Sequence, residues 1–193
     1  MSKGETTKQA ILEQSMEFAA IVGLEGLSIG QLAEQLKLSK SGLFAHFKSK
    51  EVLQIETLRV ATEKFIEEVV VPSLKRPRGE PRVRALWEHW NVWGRRKGGC
   101  LFLASIYELD DRPGATRDAL IQSQNDWLDT LATAAQIAVR EKHFRQDLDC
   151  KQFAFEAYGL LMGAHFLHRF IQAPDASTRT QTAFERLLKS AKP

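Results

Sequence analysis

Apolar side chains recur along the chain at the three- and four-residue spacing of one helical face, and no stretch alternates convincingly every second residue. This spacing predicts helices over residues 7–22, 49–71, 83–96, 100–109, 115–141 and 149–171. Pro72 and Pro174 are expected to end the helices before them, and Ser177 to cap a last helix. We therefore expect an all-α fold.

A short helix is predicted to begin after Ser28, which can cap it. Gln31, three residues later, can return a hydrogen bond to the Ser28 backbone N–H and so complete a capping box. The buried side of this helix is expected to be Ile29, Leu32, Ala33 and Leu36, with Leu38 packed in the following turn.

A second short helix is predicted after Ser39, with Leu43 and Phe47 as a buried pair one turn apart. Its outward side chains would be Lys40, Ser41, Gly42, Phe44 and His46. Lys and Ser reach phosphates or base edges, and the positive helix N-terminus favours a phosphate. Together with helix 7–22, the two helices form a predicted three-helix unit with a helix-turn-helix.

The segments Ser39-Lys40, Leu43-Phe44, His46-Phe47 and Ser49–Leu53 resemble the DNA-binding signature of the TetR family of bacterial repressors. The resemblance implies that Ser28 and Lys50 hold phosphates and that the outward residues after Ser39 face the major groove. It also implies a homodimer on a double-stranded, palindromic operator. The sequence departs from the family pattern at three positions. Lys37 stands where the family often has glycine, Gly42 where it often has threonine, and Phe44 where it often has tyrosine.

The candidate DNA-binding residues are therefore Ser28, Gln31, Ser39, Lys40, Ser41, Gly42, Phe44, His46 and Lys50. We expect a DNA-binding domain over residues 1–48. Residues 49–193 would form a larger helical domain for ligand binding and dimerisation.

Composition narrows the class of protein. The formal net charge of the 193-residue chain is only +3, so DNA affinity would depend on where cations are placed and on dimerisation. Two cysteines argue against a disulfide-stapled secreted domain. No apolar run has the length of about 20 residues that a membrane span needs, and the opening residues Met-Ser-Lys-Gly-Glu lack the apolar core of a signal peptide. We expect a cytoplasmic protein without membrane contact.

The second domain is rich in large apolar rings, which either fill its core or line a small-molecule pocket. The candidate ligand-binding residues are Trp87, Trp90, Tyr107, Trp127, Phe155, Tyr158, Met162 and His165. The TetR resemblance implies that a pocket for a small-molecule effector exists.

The last two predicted helices carry a lane of small residues and two apolar stripes. They either pair with a second copy in a four-helix bundle or close the core of one chain. The candidate dimer residues are Gly159, Gly163, Phe166, Phe170, Phe184, Leu187 and Leu188.

Other chemistry has weaker support. His165 and His168 lack a third metal ligand at a telling spacing, and the basic stretch 75–84 is either a second DNA contact or a solvated loop. We find no catalytic motif and expect no enzyme, cofactor or metal. The hypothesis is a transcriptional repressor released by a small apolar or aromatic effector. The alternatives are a thiol-based redox sensor using Cys100, and a small-molecule-binding helical protein with a vestigial DNA-binding fold.

Overall fold

A computed structural model describes residues 3–193, which form α-helices and two π-helical turns and contain no strand. The α-helices are α1 (Lys3–Val22), α2 (Ile29–Leu36), α3 (Lys40–His46), α4 (Lys50–Phe65), α5 (Val71–Leu74), α6 (Glu80–Gly94), α7 (Leu101–Leu109), α8 (Ala115–Arg140), α9 (Cys150–Phe166) and α10 (Ala176–Ala191). The π-helical turns are Ile66–Val70 and Leu167–Ile171. The predicted all-α fold is confirmed.

The first compact unit comprises residues up to Lys64 together with Arg96–Ser123. Its core includes leucine and phenylalanine side chains from α1 to α4 and their connections. The fully buried ones are Leu12, Leu24, Leu27, Leu32, Leu43, Phe47, Leu53 and Leu58. Because all four helices contribute to one core, the short helices α2 and α3 are held by tertiary packing rather than by their own helical propensity.

The second compact unit comprises Phe65–Arg95 and Gln124–Pro193. The three tryptophans of α6, Trp87, Trp90 and Trp93, are all buried there, as their shared helical side predicts. The Trp87 ring stacks on Phe184 of α10 with centroids 3.9 Å apart. Phe65 meets the edges of Trp93 and Trp127 at centroid distances of 5.3 and 4.9 Å. Aromatic packing therefore joins α6, α8 and α10 within this unit.

The prediction that Pro72 ends a helix is wrong. The helical path instead passes through the π-helical turn Ile66–Val70 and continues as α5 to Leu74, with Pro72 in the first turn of α5. Proline is tolerated there because the first residues of a helix need no amide donor. Ser73 adds a hydrogen bond from its hydroxyl to the Val69 carbonyl at 2.6 Å.

The predicted cap of the last helix is also wrong. Asp175 holds the N-cap position of α10 and its side chain makes no capping bond, while Ser177 lies inside the first turn. The Ser177 hydroxyl instead accepts a hydrogen bond from Arg95 at 3.1 Å and lies 3.3 Å from the His168 Nε2. A serine near the start of a helix can therefore bond to another side chain instead of capping the helix, and the sequence does not distinguish the two.

These compact units do not test the predicted boundary between a DNA-binding domain (residues 1–48) and a ligand-binding and dimerisation domain (residues 49–193). That boundary stays a prediction. Across the described residues, no helix is both long enough and apolar enough to cross a membrane.

Arg84 ties α6 to the C-terminal helix of the second unit. Its guanidinium donates to Glu185 at 2.5 and 2.9 Å and to Glu80 at 2.8 Å. Lys192 lies 3.2 Å from the same Glu80. The hydrogen bond from Arg84 lowers the pKa of the Glu185 carboxyl, against a smaller effect of burial.

We expect Glu185→Gln to lower the free energy of unfolding at about pH 7 by about 0.5–1 kcal/mol, since the ion pair is partly exposed. The Glu185 pKa is lower in the folded chain than in the unfolded one. Its contribution is therefore present above the unfolded value and disappears as the pH falls through the folded value. Urea unfolding at about pH 7 and about pH 3 measures this, at one protein concentration. Glu63→Gln, which removes an isolated helical pair with Arg59, is the control. An equal loss at both pH values would contradict the assignment.

Candidate DNA-binding and effector sites

Helix α3 is held from one side only. Its N-cap Ser39 accepts a hydrogen bond from the Gly42 N–H at 3.0 Å. Leu43 and Phe47 have no exposed surface, so the predicted buried pair is confirmed. Within the seven residues of the helix, Leu43 is the buried one.

Most of the other residues of α3 are exposed. Lys40, Ser41, Gly42 and Phe44 are exposed, Phe44 by 54%, and His46 is half-buried. The side chain of Lys40 lies over Gly30 of α2, where an added Cβ would be 3.6 Å from the Lys40 Cε. The exposed residues of α3 thus include four of the five that the sequence predicts to face the groove, among them the cation Lys40.

Helix α2 begins as predicted but its cap differs in detail. The Ser28 hydroxyl oxygen accepts a hydrogen bond from the Gln31 N–H at 3.2 Å. The Gln31 side chain accepts from the Ser28 hydroxyl at 3.0 Å, and not from the backbone N–H that a capping box would use. Leu38, expected to pack in the turn, is 41% exposed.

Lys37 ends α2 in the left-handed region, with φ 54° and ψ 37°. The N–H groups of Lys37 and Leu38 then reach the carbonyls of the last turn, the latter bonding to the Ala33 oxygen at 2.9 Å. The family often has glycine at this position. The lysine therefore holds a conformation that costs a side-chain-bearing residue about 1 kcal/mol.

Lys50 has a protein partner. Its Nζ donates to the Glu25 carbonyl oxygen at 2.7 Å and to the Glu25 carboxylate at 3.2 Å. A phosphate contact by Lys50 would have to compete with these bonds. The contact with Glu25 could not be predicted from helical periodicity, because a single acidic residue in a short loop belongs to no repeating pattern. The nearby Gly23 and Gly26 indicate only that a loop is present.

The predicted ligand-binding residues do not form one buried set. Trp87, Trp90 and Trp127 are buried in the second unit, Tyr158 is 9% exposed, and Met162 and His165 are half-buried. Phe155 is 68% exposed on α9, and Tyr107, which belongs to the first unit, is 74% exposed. Their exposure argues against a role for these two rings in lining an enclosed pocket.

Polar atoms lie within the aromatic core of the second unit. The Tyr158 hydroxyl donates to the Gln124 side-chain oxygen. The Trp127 Nε1 and the His165 Nδ1 are buried and have no hydrogen-bond partner. Burial, followed by the charge of Arg169 and by His168, lowers the pKa of His165, which is therefore neutral at pH 7. An unpaired buried donor costs free energy unless a ligand or water meets it.

The predicted dimer residues separate into two groups. Phe166 and Phe170 stack with centroids 5.6 Å apart and are 52% and 78% exposed, and a Cβ built on Gly159 or Gly163 would meet no atom within 4 Å. The α10 residues Phe184, Leu187 and Leu188 are instead buried within the single chain. Their burial favours the alternative in which α10 closes the core of one chain.

The remaining candidates have structural roles. In the basic stretch 75–84, Arg78 pairs with Glu141, Arg82 donates to the Arg76 carbonyl, and Arg84 pairs with glutamates. Cys100 is buried at the start of α7. Burial and the nearby Asp149 raise the pKa of the Cys150 thiol. No three metal-ligating side chains are grouped among residues 3–193.

The fold and the helix-turn-helix define a helical DNA-binding regulator. The family model for bacterial regulatory proteins of the tetR family matches residues 11–57, and the tetracyclin repressor-like C-terminal domain matches residues 79–184. The chain therefore belongs to the TetR family of transcriptional regulators, and the resemblance seen in the sequence is confirmed.

Solved structures share this fold. A TetR-family regulator from Cytophaga hutchinsonii is 23% identical with a TM-score of 0.87, over 100% of this chain and 98% of that one. One from Chloroflexus aurantiacus is 24% identical with a TM-score of 0.86, over 98% and 96%. AibR, in complex with isovaleryl coenzyme A and operator DNA, is 22% identical with a TM-score of 0.73, over 96% and 98%. No curated protein matches the chain in sequence.

We expect Lys37→Gly to raise the free energy of unfolding by about 0.5 kcal/mol, because glycine adopts the left-handed conformation without strain but has more freedom in the unfolded chain. Lys37→Ala keeps the Cβ and should bring no gain. Urea unfolding of the three proteins compares them. If the alanine variant were as stable as the glycine variant, the strain at residue 37 would be refuted.

Proposed function

We propose that the protein is a homodimeric repressor that binds a palindromic operator through residues 28–50. A small, largely apolar or aromatic effector would bind the C-terminal domain and release the operator. The observation that carries the proposal is the exposure of α3, where Lys40, Ser41, Gly42 and Phe44 are exposed and His46 is half-buried, while Leu43 and Phe47 are fully buried. Such a protein would act in the cytoplasm and would not be an enzyme.

The proposed DNA contacts follow from side-chain chemistry. Lys40 is a cation beside the α3 N-terminus, where backbone N–H groups and the helix dipole favour a phosphate. His46 supplies a ring nitrogen that hydrogen-bonds a base edge or phosphate. Phe44 has no polar atom, so it would pack on a sugar or on a thymine methyl group. Ser28, Gln31 and Ser39 would hydrogen-bond to the phosphate backbone of the DNA. To do so, their side chains would either release their present capping hydrogen bonds or make both bonds at once.

The proposed effector site is the aromatic core of the second unit. Trp87, Trp90, Trp127 and Tyr158 supply apolar walls, and the unpartnered Trp127 indole N–H offers a hydrogen bond to an acceptor on the ligand. AibR, which has the same fold, was solved with both a small molecule and operator DNA. The buried Cys100 and the raised pKa of Cys150 give no support to a thiol-based sensor.

The proposed dimer face is the outer side of α9 and of the π-helical turn Leu167–Ile171 that follows it. Phe155, Gly159, Gly163, Phe166 and Phe170 follow one another at helical spacing and are all exposed. The glycines let a second helix approach closely. Three exposed aromatic rings on one face form an apolar patch of the kind that marks an interaction site. A second copy in a two-fold arrangement would cover the same rings on both chains.

We expect Lys40→Ala and His46→Ala each to weaken operator binding by about tenfold and to leave the dimer intact. Lys50→Ala should weaken all DNA sequences alike and reduce the salt slope by about 1. Fluorescence anisotropy at several salt concentrations, with an operator obtained by selecting bound fragments from the DNA of the source organism, measures these effects. Lys189→Ala, which removes the same charge from α10, is the matched control. Unchanged affinity in both the Lys40 and His46 variants would refute the assignment of the groove.

We expect Phe170→Glu to convert the dimer into a monomer, since a carboxylate in an apolar interface loses its hydration. Light scattering after gel filtration reports the mass of each variant. Val92→Glu, at an apolar position of α6 that is 73% exposed, should remain dimeric. A Phe170→Glu protein that stayed dimeric would place the interface elsewhere.

A further inference from the structure

Glu25 lies in the loop between α1 and α2, three residues before the Ser28 cap, and joins several elements of the first unit. Its carboxylate accepts hydrogen bonds from Lys50 and Gln54 of α4, each at 3.2 Å. The Arg112 guanidinium lies 2.9 Å from the same carboxylate. With Glu108, described next, these residues are called the Glu25 cluster.

The backbone of this loop is also held by side chains. Glu108, at the end of α7, accepts a hydrogen bond from the Glu25 N–H at 3.2 Å. Gln54 donates to the Leu24 carbonyl at 2.7 Å. Gly23, with φ +80°, leaves room for Glu108, because a Cβ there would lie 1.6 Å from the Glu108 carboxylate. The Glu25 N–H and the Leu24 and Glu25 carbonyl oxygens are thus each bonded to a side chain from another part of the first unit.

The cluster joins two stretches of sequence that the family models separate. Glu25, Lys50 and Gln54 lie within the N-terminal match to residues 11–57, whereas Glu108 and Arg112 lie within the C-terminal match to residues 79–184. All five belong to the first compact unit. The loop that leads into α2 is therefore held by the end of α7 as well as by α4.

The Glu25 carboxylate is charged at neutral pH. Burial raises its pKa, but hydrogen bonds from Lys50 and Gln54 and the charges of Lys50 and Arg112 outweigh burial and lower the pKa. Two cations sharing one carboxylate fix its position more closely than one ion pair would. Glu25 also borders the open groove beside α2 that Ser28, Glu34 and Lys40 line.

We propose that Glu25 is a positioning residue for operator binding, through which Arg112 and Glu108 hold α2 and α3 in the orientation that DNA requires. In this proposal Arg112 acts through Glu25 and does not touch DNA. The proposal rests on the proposed function, since it explains how the recognition surface is oriented.

The sign of one substitution separates positioning from simple charge. Glu25→Gln removes a negative charge near the DNA-binding surface, which by charge alone would tighten binding. The proposal predicts the opposite, a loss of about tenfold in operator affinity. Glu34→Gln removes a charge that borders the same groove but lies outside the cluster, so it should leave the affinity unchanged or raise it slightly.

Arg112→Gln tests the second half of the proposal in a double-mutant cycle. The Arg112 side chain is 62% exposed, so its loss should weaken operator binding by only about threefold. The double variant should bind no more weakly than Glu25→Gln alone, and the salt slope should stay that of the wild type. A slope reduced by about 1, with losses that multiply, would make Arg112 a direct phosphate contact and overturn the proposal.

Amide hydrogen exchange on the free protein supplies a readout that needs no DNA. The amides of α2 should exchange several-fold faster in Glu25→Gln and in Arg112→Gln, and at the wild-type rate in Glu34→Gln. If the wild type bound no operator, the proposed function would fail while faster exchange still showed that the cluster holds α2. Unchanged exchange, or a Glu25→Gln protein that binds operator as tightly as the wild type, would overturn the proposal.

Discussion

The presentation of α3 depends on the burial of two side chains. A helix of seven residues is not stable alone in water, so α3 exists because Leu43 and Phe47 are buried against the rest of the first unit. That packing determines which side chains face outward, and the Ser39 cap sets where the helix begins. The exposed side chains of α3, which we propose to contact DNA, are thus presented by the apolar packing of Leu43 and Phe47. The Glu25 cluster adds a polar constraint at the other end of the same motif.

In the second unit, burial decides which apolar stripe remains available to a partner. The stripe of α10 is used within the chain, where Phe184 stacks on Trp87 and Leu188 is fully buried. The stripe of α9 and the π-helical turn after it is left exposed at Phe166 and Phe170, beside glycines with open space above them. One sequence pattern therefore has two outcomes, because helical periodicity shows that a face is apolar but not what covers it.

The helices, the caps at Ser28 and Ser39 and the buried pair of α3 were predictable because they depend on residues within one or two turns. The continuation of the helix past Pro72 was not, since it depends on a π-helical turn that precedes the proline. The partners of Glu25 could not be predicted either. Glu108 is 83 residues away in sequence, and only the packing of α1 against α7 brings it to the loop. Exposure of Tyr107 and Phe155 likewise depends on helix orientation, which composition does not contain.

The most direct test of the account is selection of bound fragments from sheared DNA of the source organism, followed by footprinting of the enriched fragment. A homodimer with two recognition helices should protect an inverted repeat. Its half-sites should lie about 34–36 Å apart or slightly more, which is the spacing of successive major grooves on one side of the duplex. Affinity for that fragment should fall steeply with salt. No enrichment above non-specific binding, even at low salt, would contradict the assignment of α3 as a recognition helix.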